Sequence, residues 1–490
     1  MYFLGIDIGG TMTKAALFAA DGRQVATCGA DTPQQFPHAG WVERDMDLLW
    51  EIAASCVRGT IEKAQISAEE IAAVACTGHG KGLYLWGKDN KPAAPAIAST
   101  DHRAAEIARR WEKDGTAEKA AKRTLQMVRD CQPAALLRWF KEERPETYAD
   151  IRWVFEAKDY LRFRLTGEAY AEYTDYSGTS LMDMHTRAFE SDILKMFGIE
   201  EVMSCLPPLR RSHDVCGYVT AEASALTGLR EGTPVCGGMF DIDACAIAAD
   251  VSQPDILCVI TGTWSINEYI APAPATDSPT TLNSIFCLPE YYLIEESSPT
   301  SVGNLEWLVR EVMGEDKTFF AKADQLVADL PPAECDVLFL PFLYGSNSPQ
   351  VSNGAFYGLS SSQSRAHLLR ALFEGAVFSH RMHIDRLRKL NPNLSVIRLS
   401  GGATNSAVWV QMFADVLGLP IEVVKAEEMG AKGAAMAAAV GTGMYANFHD
   451  AAEKMVKITD TVYPDANHSV IYEEKYQRYL ALLHALEQAF

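Results

Sequence analysis

Residues 2–18 read YFLGIDIGGTMTKAALF. The apolar run of Tyr2, Phe3, Leu4, Ile6 and Ile8 has the pattern of a buried strand. It breaks at Gly9-Gly10, and a second short strand is expected from Lys14 to Phe18. Two strands joined by a glycine turn form a hairpin whose backbone N–H groups can converge on one point. Such a nest suits phosphate, with the hydroxyls of Thr11 and Thr13 as further donors. Asp7 is a carboxylate among core apolar residues just before the turn. Burial there is costly without a partner, and Mg²⁺ carried by a nucleotide is a natural one. The plainer alternative is a glycine-turn hairpin with Asp7 hydrogen-bonded to local backbone.

Residues 256–270, ILCVITGTWSINEYI, repeat the pattern: an apolar strand, a turn at Thr261, Gly262 and Thr263, and another strand. Two such hairpins half a chain apart fit two similar domains sharing one nucleotide. With both hairpins, the chain resembles the FGGY carbohydrate kinases of the sugar kinase/Hsp70/actin superfamily. The resemblance runs over essentially all 490 residues. It implies an α/β fold of two actin-like (ribonuclease H-like) domains with an interdomain ATP/sugar cleft. Residues 1–245 would form the sugar-binding domain and residues 246–490 the nucleotide-binding domain, with a short hinge near 246–254.

A chain of this length exceeds what one core usually supports, which independently predicts two or more domains. Hydrophobic content of 48% and charged content of 22% are those of a soluble globular protein. A net charge of −20 argues against nucleic acid or an anionic membrane as partner. Any ATP site must therefore be locally positive or rich in backbone donors. Eleven cysteines, with no C-x-x-C pair, suggest reduced thiols and a cytoplasmic setting. No signal-like n-region and no apolar run of membrane-spanning length is present.

Further motifs follow in order. GWVERD at 40–45 precedes a helical pattern through Leu48, Trp50, Ile52 and Val57, and it resembles a stretch of the family. A strand over 71–76 empties into Thr77-Gly78-His79-Gly80-Lys81-Gly82, a usual place for a ligand in an α/β domain. GLYLWGKD at 82–89 imitates a P-loop, but Asp89 stands where the magnesium-binding hydroxyl belongs and LYLW reads as a strand. A hairpin turn is expected at 87–92. Asp101 and Arg103 read either as a helix N-cap with a solvated charge or, by the resemblance, as residues near the sugar. At 235–250, VCGGMFDIDACAIAAD, a strand turns at Gly237-Gly238 into a helix, with Asp241 near its N-terminus. His380 and His383 lack a surrounding ligand set and are expected on a helix surface or in the core. VIRLSGGATNSAVWVQ at 396–411 is a strand ending in Gly401-Gly402 before a helix. EMGAKGAAMAA at 428–438 reads as a small-residue helix packed tightly against a neighbour.

The resemblance implies the roles. Asp241 would be the catalytic base, with Asp243 as the competing carboxylate. His79, Gly80, Lys81, Asp101, Arg103 and Asp241 would bind the sugar. Gly10, Thr11, Thr13, Lys14, Gly262, Thr263, Gly401, Gly402, Ala403 and Asn405 would hold ATP, and Asp7 the Mg²⁺. Within the family, the strings GKGLYLWGKDNKP, GNLEWLV and LPFLYGSN most resemble L-xylulose/3-keto-L-gulonate kinases. D-xylulose, ribulose and gluconate types stay open, as does a homodimer. A non-kinase actin- or Hsp70-like ATPase fits the two hairpins equally well but not the loops at 77–82, 101–103 and 241.

Overall fold

The computed structural model describes residues 1–262, 264–276, 281–347, 351, 353–424 and 428–489. The chain forms two compact units. The first comprises residues 1–252, 271–293 and 427–456; the second comprises 253–270, 294–426 and 457–490.

The first unit is built on β1 (Tyr2–Ile8), β2 (Met12–Ala19), β3 (Gln24–Asp31), β4 (Ile71–Gly78), β5 (Val215–Tyr218) and β6 (Pro234–Phe240), in the order β5-β6-β4-β1-β2-β3. β1 runs antiparallel to β2 and parallel to β4, and β6 runs parallel to β4. The apolar residues read from the sequence are the core: Phe3, Leu4, Ile6 and Ile8 are all buried. The helices that matter here are α1 (Met46–Ala64), α2 (Ala157–Thr166) and α3 (Asp241–Ala248). Asp45 caps α1 by accepting the Leu48 N–H at 3.0 Å, which satisfies one of the free donors of the first turn.

The P-loop imitation resolves as a hairpin. Residues 84–87 are a strand paired with Ile151–Phe155, and the Gly87 N–H donates to the Lys91 carbonyl at 2.7 Å.

In the second unit β7 (Ile256–Thr261), β8 (Ser265–Ala271), β9 (Tyr292–Ser298), β10 (Val396–Gly401), β11 (Ile421–Val424) and β12 (Ile458–Val462) lie in the order β9-β8-β7-β10-β11-β12. β7 is antiparallel to β8 and parallel to β10, so the hairpin-plus-parallel-strand arrangement of the first sheet recurs. Its helices include α4 (Arg365–Leu390) and α5 (Ala407–Leu417). His380 and His383 are core residues of α4. His380 bonds Ser265 and Ser301, and His383 bonds Glu296 and Ser298.

One feature departs from a single cut at 245/246. The helix α6 (Met429–Gly441) comes late in the chain yet belongs to the first unit. Its small residues explain why. A Cβ on Gly5 would lie 1.8 Å from the Ala431 carbonyl, and one on Gly433 would lie 2.2 Å from the Ala244 carbonyl. Backbone therefore packs on backbone, and only residues without bulk permit the approach. The closing helix, α7 (Ala466–Ala489), packs on α4 through Lys475–Glu374 and a 3.0 Å bond from the Tyr476 hydroxyl to Asp385. No helix among the described residues is long and apolar enough to cross a membrane.

Gly433→Val tests the α6 packing. Its side chain must displace the backbone of α3, so the melting temperature should fall well below wild type, in line with an overpacking cost of about 1–3 kcal/mol or more. An unchanged melting curve would mean that α6 does not approach α3 this closely.

Candidate functional site

In the first unit the turn after β1 is fixed from behind. The Gly9 N–H donates to the Met12 carbonyl at 2.9 Å, and Gly10 is exposed with open space at its Cα. Gln34 donates to the Gly10 carbonyl at 2.9 Å, and Arg44 donates to the carbonyls of both Gly10 and Gly9. Thr11 is exposed at the turn. Thr13 differs from the expectation: it is fully buried, and its hydroxyl pairs with that of Thr32 at 2.9 Å. The alternation of β2 turns Thr13 into the fold, away from the turn.

Asp7, next to last in β1, lies opposite Lys14, whose ammonium is engaged with Glu428 at 3.0 Å. The Gly430 backbone closes on Asp7; a Cβ there would lie 2.5 Å from Oδ2. Burial pushes the Asp7 carboxyl up to about 6, with Lys14 opposing and Glu428 adding to the shift. No hydrogen bond to the Asp7 carboxylate occurs among the described residues, so it is free to face a cation.

Arg44, the arginine of GWVERD, is 1% exposed and joins this turn to the next loop. It donates to His79 Nε2 at 3.0 Å, and the Tyr84 hydroxyl lies 3.0 Å from the same nitrogen. Burial first, and then the Arg44 charge, pushes the His79 imidazole down to about 3, so it is neutral. His79 is thus buried and occupied, holding the loop. Gly80 lies against Phe240 and Asp175, since a Cβ would come within 2.6 Å of the Phe240 ring and 2.8 Å of Asp175 Oδ1. Lys81 has φ 65°, and Gly82 has φ 84° with no room for a Cβ beside the Ile97 carbonyl. Lys81 is half-buried and makes no ion pair among the described residues.

Asp101 and Arg103 are neither a simple cap nor solvated. Asp101 is fully buried and accepts from the Val42 N–H at 2.6 Å, the Arg103 N–H at 2.8 Å and the Arg103 guanidinium at 2.9 Å. Arg103 also pairs with Glu43 at 2.9 Å and lies 4.1 Å over the Trp41 ring. The pair clamps residues 41–43 in place.

Asp241 opens α3 at the end of β6. The Phe240 N–H donates to the Thr174 hydroxyl at 2.8 Å, tying this junction to the loop that carries Asp175. Below it lies an ionic group that the sequence reading missed. Lys158 contacts Asp159 at 2.9 Å, Glu172 at 3.4 Å and Asp175 at 3.6 Å, and Arg162 contacts Asp159 at 2.8 Å, all in the buried interior. Burial, opposed by Lys158 and reinforced by Asp159, Glu172 and Asp241, drives the Asp175 carboxyl well above its ordinary range. Stretches 155–167 and 175–177 resemble family segments, but nothing in their spacing marked one ion group, because Lys158, Asp159 and Arg162 share α2 while Glu172 and Asp175 follow it. Asp243 is also buried, deeper along α3 than Asp241.

In the second unit, Gly401 has φ 90° and crosses Thr261 with no room for a Cβ. The Thr261 hydroxyl donates to the Ser400 carbonyl at 2.8 Å and accepts the Ala403 N–H at 3.0 Å. Gly262 and Gly402 border a cavity of about 440 Å³, with Asn405, Phe320, Asp324 and Trp409 among its walls. Ala403 is fully buried behind it. Phe320 and Asp324, on the helix Phe320–Ala328, gave no sequence signal. Thr263 lies outside the described residues.

Comparisons with known proteins agree with this geometry. The model of the FGGY N-terminal domain matches residues 2–248, and that of the C-terminal domain matches residues 257–442. The L-xylulose/3-keto-L-gulonate kinase of Escherichia coli (strain K12) is 40% identical over 487 residues, covering 99% of this chain and 97% of that protein. A probable L-xylulose kinase of Pasteurella multocida (strain Pm70) is 38% identical over 489 residues, covering 99% of each. The crystal structure of xylulose kinase from Rhodospirillum rubrum aligns with a TM-score of 0.90 at 28% identity, covering 100% of this chain and 99% of that one. With two actin-like α/β domains and both family models matched, the chain belongs to the FGGY family of carbohydrate kinases.

Proposed function

We propose that this kinase transfers the γ-phosphoryl group of MgATP to a hydroxyl of a ketose or keto-sugar acid, with L-xylulose and 3-keto-L-gulonate as the substrates. The reading rests chiefly on Asp241, a carboxylate at a strand-to-helix junction beside the Gly80–Lys81 loop. The names of the two relatives support the substrate choice. Asp241 takes the hydroxyl proton as the oxygen attacks. A weak carboxylate base suffices for this role, because the hydroxyl proton becomes acidic late in a loose transition state.

Backbone donors at Gly10 and Thr11 and at Gly262 receive phosphate oxygens, with Lys14 and the Thr263 hydroxyl as further donors. Gly401, Gly402 and Asn405 flank the adenosine, and Ala403 braces that turn from behind. His79 and Arg44 hold the loop at 79–82, and Asp101 with Arg103 sets its neighbour, so these residues shape the sugar site. Asp7 fits a cation, since its carboxylate is half-buried and its cross-strand lysine is occupied by Glu428. One carboxylate suits Mg²⁺, which keeps most of its waters and binds phosphates. When bound, the ion neutralises charge on the β- and γ-phosphates. A cytoplasmic setting belongs to the same reading, supported by eleven free thiols; a homodimer is carried over from the resemblance.

Asp241→Asn should lower kcat by about 10²–10⁴-fold while leaving nucleotide affinity near wild type. A dead Asp243→Asn beside an active Asp241→Asn would move the base to the other carboxylate.

Asp7 makes a prediction of opposite sign for stability and activity. Its folded pKa, about 6, exceeds the ordinary 3.8. Its contribution to stability is therefore complete below about 3.8 and is lost as pH rises through 6. Without nucleotide, Asp7→Asn should melt higher than wild type at pH 7.5, and the gain should vanish as pH approaches 4. Mg²⁺-dependent turnover should collapse in the same variant. A lower melting temperature at pH 7.5 would make Asp7 a structural residue.

Lys81 should discriminate between the two substrates. Its ammonium, on a loop pinned by two glycines, would meet a substrate carboxylate, a bond worth about 1.5–3 kcal/mol where water is excluded. Lys81→Met should lower kcat/KM for 3-keto-L-gulonate by roughly ten- to a hundredfold, with a smaller loss for L-xylulose. Equal losses would assign the lysine to a shared hydroxyl, and no loss would place it in solvent.

A further inference from the structure

A second, smaller cavity lies wholly within the first unit and takes no part in the reaction proposed above. Its volume is about 170 Å³, and its walls include Glu172, Arg187, Arg211, Ser212, Phe286 and Cys287. That is well below the ~300–1,000 Å³ typical of sites for drug-sized ligands. It excludes a nucleotide but accommodates a small ion or the head of a larger anion.

The donors in its wall are mostly assigned, and what remains is cationic. Ser212 donates its hydroxyl to Glu172 Oε1 at 2.9 Å. The other Glu172 oxygen accepts from Thr174 and lies 3.4 Å from Lys158, so this carboxylate is already compensated. The Thr186 hydroxyl donates to Glu190 at 3.1 Å. Arg187 is anchored by one nitrogen on the Pro289 carbonyl and lies 4.9 Å over the Tyr292 ring. A guanidinium has five N–H donors, so most of its capacity is left. Arg211 is positioned by its backbone, whose N–H donates to Asp214 at 2.9 Å and whose carbonyl packs on Gly237. Its guanidinium makes no ion pair or hydrogen bond among the described residues. Two guanidiniums over an apolar floor, in a chain of net charge −20, are a local exception to the overall field. Arginine in pairs matches tetrahedral oxyanions by bidentate hydrogen bonding.

We propose that the cavity between Arg187 and Arg211 binds a phosphate group, either as the free ion or as the head of a small phosphate monoester. The full chain, saturated with Mg²⁺ and a non-hydrolysable ATP analogue to fill the proposed nucleotide site, is titrated calorimetrically with inorganic phosphate and separately with glycerol 3-phosphate. Phosphate should bind one site under these conditions, and Arg211→Gln, which removes an exposed side chain, should weaken it at least tenfold without changing the melting temperature. Equal affinity for the two probes assigns the free ion, and tighter glycerol 3-phosphate assigns a monoester. Binding that disappears when the analogue is present, or that survives unchanged in both Arg211→Gln and Arg187→Gln, would overturn the proposal. Neither outcome bears on Asp241, so this site and the kinase reading stand or fall separately.

Discussion

Gly5 has no side chain because a carbonyl oxygen occupies the place where one would be. The contact of β1 with α6, repeated where Gly433 meets the backbone of α3, sets the spacing of the first unit. β1 carries Asp7 near its end, α3 begins with Asp241, and Gly430 of α6 abuts the Asp7 carboxylate. A methyl group at Gly5 or Gly433 would have to move backbone, and one at Gly430 would have to move the Asp7 carboxylate. The small-residue composition of α6 is therefore a constraint on the relative placement of Asp7 and Asp241, the two carboxylates proposed for metal and base, beyond its contribution to packing density.

The site of the first unit also stands on buried charge. Lys158, Arg162, Asp159, Glu172 and Asp175 are removed from water together, and their mutual pairing offsets part of the desolvation, while Asp159 Oδ2 and Asp175 Oδ1 have no hydrogen-bond partner among the described residues. Such a network adds less to stability than to uniqueness of geometry. Here it fixes the height of the loop carrying Asp175, on which Gly80 and the Phe240 ring rest. Arg44 extends the same logic to the turn after β1, since one guanidinium touches Gly9, Gly10 and His79.

Legibility in the sequence follows from range. The two hairpins, the false P-loop at 82–89 and the helix opened by Asp241 depend on neighbours within about ten residues, where periodicity and turn chemistry act. Burial alternation, however, could have warned that Thr13 faces inward, because it is the first inward position of β2 after the exposed Met12, whereas Thr11 lies in the turn before the strand. The environment of Asp101 was not readable. Its partners Val42 and Glu43-bound Arg103 meet only after β4 and its following hairpin are in place. The 158–175 ion group and the cavity wall at Phe320 and Asp324 are likewise products of tertiary assembly, with ordinary composition on each contributing segment. The single cut at 245/246 overlooked that α6 returns to the first unit, although its glycines and alanines announced a close neighbour.

That return has a consequence for biosynthesis. The first unit takes its closing helix from residues 429–441, so a ribosome must finish more than four-fifths of the chain before the far face of β1 can be covered. Until then the sheet presents bare backbone at Gly5 to whatever is nearby. Domain-by-domain folding during synthesis, the usual route for long chains, is unavailable to this unit. The nascent protein must instead keep an unfinished sheet from associating with other chains, and that places a premium on chaperone shelter during translation.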